Sequence, residues 1–118
     1  MNEQSMYLIS DQGLRREDNI AMDITKATGI CRIMTHARVV KENWGTLAEL
    51  TDSIIFDLSS TQILYVNGME EFIRNNSTKI IFLVTADILS VVQALNSGLI
   101  ATDKEALIKA IKKILNIA

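Results

Sequence analysis

Leu14-Arg15-Arg16-Glu17-Asp18-Asn19-Ile20-Ala21-Met22-Asp23-Ile24-Thr25-Lys26-Ala27-Thr28 reads in two ways, and the fold turns on which is right. Leu14, Ala21 and Ile24 suit one face of a helix, whereas Ile20, Met22 and Ile24 alternate as a strand would. We take the segment as a helix. The rest of the chain then alternates short apolar runs with amphipathic stretches, strand then helix, five times over. That alternation is the signature of a parallel sheet joined by crossover helices.

Working outward, Ile54 to Phe56 and Ile80 to Val84 are apolar without alternation, as expected of central strands covered on both faces. Weaker strands are expected at Met6 to Ser10, Ile30 to Met34 and Leu99 to Ala101, the last short enough to lie at an edge. Leu107, Ala110, Ile111 and Ile114 predict a final helix from Asp103 onward, with Thr102 and Glu105 as its capping box. Leu89, Val92 and Leu95 form a stripe that Gly98 would stop, and Met69, Phe72 and Ile73 suggest a short helix after Gly68. Val40, Trp44 and Leu47 can share a helical face, made irregular by Gly45.

Size and charge restrict the function classes. A chain of 118 residues, 48% hydrophobic, reads as one compact domain spanning 1–118 with a continuous core. A net charge of -2 and a pI near 5.3 give no electrostatic footprint for nucleic acid. Cys31 is the single cysteine, so no disulfide framework exists; its thiol is expected in the core. The first residues lack the basic flank of a signal peptide, and the apolar stretches are too short to span a bilayer. Together these predict a cytoplasmic protein. No glycine-rich phosphate loop, nucleophile-base pair or zinc-ligand spacing points to an enzyme acting on small molecules.

Three apolar runs end in residues with chemistry: Leu8-Ile9-Ser10-Asp11, Ile54-Ile55-Phe56-Asp57 and Ile81-Phe82-Leu83-Val84-Thr85. If these are neighbouring parallel strands, two carboxylates and a hydroxyl meet at the carboxyl edge of the sheet, where open α/β sheets place their ligands. Such a site would bind a divalent cation and accept a phosphoryl group.

The stretch from Leu8 to Glu17, with Asp11, Gln12, Leu14 and Arg16-Glu17, resembles the opening of two-component response-regulator receiver domains. Thr51 to Asp57 is similar to their phosphoacceptor strand, Gly68 to Arg74 to their glycine-led third helix, and Ile80 to Ala86 to the fourth strand with its switch threonine. Ala94 to Gly98 and Leu107 to Leu115 look like the turn out of the fourth helix and the fifth helix. The resemblance implies a flavodoxin-like (βα)5 fold with strand order 2-1-3-4-5. It makes Asp57 the phosphoacceptor, and Asp11, Asp57 and the backbone carbonyl of Ser59 the holders of one Mg²⁺. Thr85 would hydrogen-bond a phosphoryl oxygen and Lys104 would pair with its charge. The implied partner is a sensor kinase or other signalling protein, and a homodimer is compatible with the family.

Several residues depart from that pattern. Ser10 stands where a second acid is usual, so metal affinity should fall. The chain has no proline, the loop from Asp57 to Gly68 is longer than usual, Ile100 replaces an aromatic, and the approach to the last helix is short. Asp57-Leu58-Ser59-Ser60 through Asn67-Gly68-Met69 is also similar to STAS domains, the anti-sigma-factor antagonists, in which case Asn19 to Arg32 would be a hairpin. Each candidate has a plain structural rival. Asp57 and Asp11 could be turn formers, Thr85 a helix cap, and Lys104 a solvated lysine in the capping box. His36 is expected on a surface loop, and Trp44 and the methionines in core packing.

Overall fold

The computed structural model describes residues 2–37 and 44–117. Five strands, β1 (Asn2–Ser10), β2 (Ile30–Ala37), β3 (Ser53–Leu58), β4 (Ile80–Val84) and β5 (Leu99–Ala101), form one sheet. The sheet is wholly parallel in the order β2-β1-β3-β4-β5. With helices α1 (Leu14–Thr28), α2 (Trp44–Glu49), α3 (Met69–Asn75), α4 (Leu89–Ala94) and α5 (Lys104–Leu115), this is a flavodoxin-like α/β arrangement. Among the described residues, no helix is long and apolar enough to cross a membrane.

The segment from Leu14 to Thr28 is helix throughout. Ile20 and Ile24, one turn apart, are both buried, while Met22 between them is exposed, so the apparent alternation does not correspond to a sheet face. Gly29, at φ 79°, ends the helix in the left-handed region and sends its N–H to the Thr25 carbonyl at 2.8 Å. Asn19 to Arg32 is accordingly helix followed by strand, not a hairpin.

Strand parity divides the core in two. Tyr7, Ile9, Ile54, Phe56, Leu58, Ile80, Phe82 and Val84 pack against Ala48 of α2, Met69, Phe72 and Ile73 of α3, and Val92 of α4. Met6, Leu8, Ile55, Ile81 and Leu83 pack on the other face against Ile20 and Ile24 of α1 and Leu107, Ile111 and Leu115 of α5. Every residue of β3 and β4 is buried, as their unbroken apolar runs predict. β5 is a three-residue edge strand, only partly covered.

Several local expectations change. Trp44 and Ala48, four residues apart, turn inward in α2, with the Trp44 and Phe72 rings 4.5 Å apart; Leu47 is 45% exposed. Val40 lies outside the described residues. Cys31 is exposed because β2 is an edge strand and its neighbour Ile30 takes the inward position. Met6 and Met69 are core, but Met22 and Met34 reach the surface. His36 belongs to β2, not to a loop. Asp103 caps α5, its carboxylate accepting from the Ala106 N–H at 2.8 Å, in the place expected for Thr102. α4 ends at Ala94, before Gly98. Gly98, at φ 77°, serves the turn into β5, where a Cβ would stand 2.8 Å from the Ile80 carbonyl oxygen.

Tyr7 gives the fold a pH dependence. Burial raises its phenol above the ordinary value, and the negative charge of Glu17, itself buried in α1, adds to the shift. The unfolded chain ionises this phenol near pH 10, while the folded chain still holds the proton. Between those two values the unfolded state binds fewer protons, so stability falls as pH rises. Urea midpoints measured from neutral pH into that range should decline, and Tyr7→Phe should remove part of the slope.

Candidate functional site

The parity that sorts the core also sorts the strand ends. Leu8 leads to Ser10, Ile55 to Asp57 and Leu83 to Thr85, all on the face covered by α1 and α5. Ser10 and Asp57 are register partners across β1 and β3, and Asp57 stands opposite Leu83 of β4. Asp11 follows the opposite parity, after Tyr7 and Ile9, toward the face where the chain leaves β3. Adjacent in sequence, Ser10 and Asp11 therefore serve different surroundings.

Asp57 is 1% exposed, and donors surround its carboxylate. Oδ2 accepts from the Ser10 hydroxyl at 2.9 Å and from Arg16 Nε at 2.9 Å. Oδ1 accepts from Arg16 Nη2 at 3.3 Å and from Gln12 Nε2 at 3.3 Å. Arg16 comes from the first turn of α1, which starts directly above the ends of the strands, and its side chain is 46% exposed. The two parallel N–H donors make a bidentate, charge-assisted pair, about twice as strong per bond as a neutral hydrogen bond. Ser10 also accepts the Gln12 N–H at 3.1 Å, fixing the bend that brings the Gln12 amide to the carboxylate.

Asp11 is spent on a different task. Its Oδ1 accepts the Ser59 N–H at 2.9 Å and the Ser59 hydroxyl at 3.0 Å, and its Oδ2 accepts the Ser60 N–H at 2.9 Å and the Ser60 hydroxyl at 3.1 Å. The Asp11 N–H meanwhile donates to the Asp57 carbonyl at 3.2 Å. This carboxylate clamps the chain as it leaves β3 and enters the 3₁₀ turn Gln62–Tyr65, which takes up the additional length before Gly68. Ser59 meets Asp11 through its amide and hydroxyl.

The remaining candidates border one cleft. A cavity of about 200 Å³ is lined by Gln12, Arg16, Asp57, Thr85, Thr102 and Lys104, so the structure brings Asp57, Thr85 and Lys104 to the same edge. Thr85 is exposed at the start of the 3₁₀ turn Ala86–Ile88 and makes no side-chain cap there. Lys104 Nζ pairs with Asp23 Oδ2 at 2.7 Å, tying α5 to α1 on the outside of the cleft. A larger cleft of about 380 Å³ opens between Gln62–Tyr65, α3 and α4, lined chiefly by Leu64, Tyr65, Ile73, Val91 and Leu95 with Glu70 and Arg74.

These residues do not fit the implied Mg²⁺ as they stand. Magnesium takes carboxylate oxygens and several waters in near-octahedral geometry. Here the Asp57 oxygens face a cation and two neutral donors, and the Asp11 oxygens face backbone and hydroxyl donors whose positive ends would repel a metal. Arg16 and Gln12 hold the Asp57 carboxylate, although in the sequence they stand out only as parts of the family resemblance. The signal for Arg16 is its position, in the first turn of the helix that follows β1, the strand paired with the Asp57 strand. No family model matches this chain, and no curated protein matches it.

Proposed function

We propose that this chain is a receiver-like signalling module that acts through contacts with a partner protein, without phosphoryl transfer. The observation that carries this reading is the state of Asp57, a buried carboxylate at the end of the central strand whose two oxygens accept four hydrogen bonds from Arg16, Ser10 and Gln12. A phosphoacceptor must offer a lone pair on one oxygen and a cation for the developing charge. Both oxygens here are committed, and the acid that would hold the metal clamps Ser59 and Ser60 instead. The strand order and the helix at Leu14–Thr28 agree with the receiver resemblance. The proposed partner is another signalling protein.

An NMR titration with Mg²⁺ and beryllofluoride tests the reading. The amides of Asp11, Asp57 and Thr85 should keep their positions throughout. Saturable shifts at those three residues would instead make Asp57 a working acceptor and overturn the phosphate-independent assignment.

A further inference from the structure

A carboxylate as buried as Asp57 needs compensating charge, because burying an ion without a partner is strongly unfavourable. In this chain the compensation comes from within. The Arg16 guanidinium reaches from α1 across a sequence separation of 41 residues and engages both oxygens, at 2.9 and 3.3 Å. Its planar fork presents two N–H donors that match the two oxygens of the carboxylate. Ser10 and Gln12 complete the set with neutral donors, one to each oxygen. The arrangement has the balance of a metal-bound carboxylate, with one organic cation in the metal's role.

We infer that Arg16 is the built-in counter-cation of Asp57, holding it neutralised without a metal and keeping divalent cations off the site. This rests on and deepens the reading above, since it names what neutralises the same carboxylate: while the Arg16 pair stands, the site has no dependence on the metal or phosphate supply. The Arg16 side chain is 46% exposed, whereas Asp57 and Ser10 are buried. Whatever opened the site would have to draw Arg16 outward first.

The test compares the wild type with Arg16→Ala and with Arg16→Ala/Asp57→Asn. Melting temperatures should fall in Arg16→Ala, which strands the carboxylate, and recover in the double variant, where neither charge remains. With Mn²⁺ as the probe, amide resonances around Asp57 should broaden in Arg16→Ala and stay sharp in the wild type. A double variant no more stable than the single one would overturn the counter-cation role. Site-localised broadening in the wild type, or in neither protein, would overturn the exclusion of metal by the guanidinium. Should Arg16→Ala fail to fold, the double variant decides alone: folding supports the assignment and failure to fold overturns it. Because melting and Mn²⁺ broadening require no signalling partner, this assignment and the interaction reading can fail separately.

Discussion

Replacing Phe56 by alanine is expected to cost about 3–5 kcal/mol, the range for emptying a large aromatic from a packed core. Phe56 is fully buried at the centre of the sheet, and its ring stacks on Phe82 of the neighbouring strand at 5.3 Å with an interplanar angle of 23°. The effect should extend to the site, because Asp57 is the next residue and shares the backbone of β3. Urea unfolding gives the cost, and the chemical shifts of Ser10 and Gln12 report whether the carboxylate moves. Phe56→Leu, which keeps most of the volume but loses the stacking on Phe82, should cost less than Phe56→Ala. A loss below about 1 kcal/mol in Phe56→Ala, against that range, would show that this part of the sheet is not packed as described.

Asp11→Ala should cost about 2–3 kcal/mol, the scale of hydrogen bonds from neutral donors to a charged group. The change leaves the Ser59 and Ser60 N–H groups without the carboxylate that gathers them at 2.9 Å each, and these groups begin the turn that displays Tyr65. Amide exchange at Ser59 and Ser60 should accelerate more than exchange in β4, since the loss is local. Asp11→Asn keeps one acceptor oxygen and should fall between the two. If exchange at these amides were unchanged in Asp11→Ala, the clamp would not be what holds the segment, and a metal role for Asp11 would regain its standing.

The two acids illustrate what a linear reading can and cannot do. Asp11 and Asp57 were both legible as residues closing apolar runs, and the sheet does bring their backbones within 3.2 Å. Their separation into two environments was also present in the sequence, as parity: Asp57 follows Ile55, and Asp11 follows Ile9. The receiver resemblance implies one shared metal for both acids, whereas parity turns them to different surroundings. Lys104 lines the cleft beside Asp57, yet its charge goes to Asp23, a residue 81 positions away that no local pattern connects to it. Cys31, expected in the core, is exposed for a different reason: it lies on an edge strand, where its neighbour Ile30 takes the inward position.

Sequence alone determined the alternation of strand and helix, the two central strands, the short edge strand and the candidates at the carboxyl edge. Those follow from periodicity and from turn residues, which act over a few positions. Only the tertiary structure decided that Arg16, 41 residues from Asp57, neutralises it, and that Asp11 is spent on Ser59 and Ser60, 48 and 49 residues on. Such pairings depend on which side chains the sheet order and strand parity deliver to one edge, and a buried carboxylate takes the nearest donors it meets there.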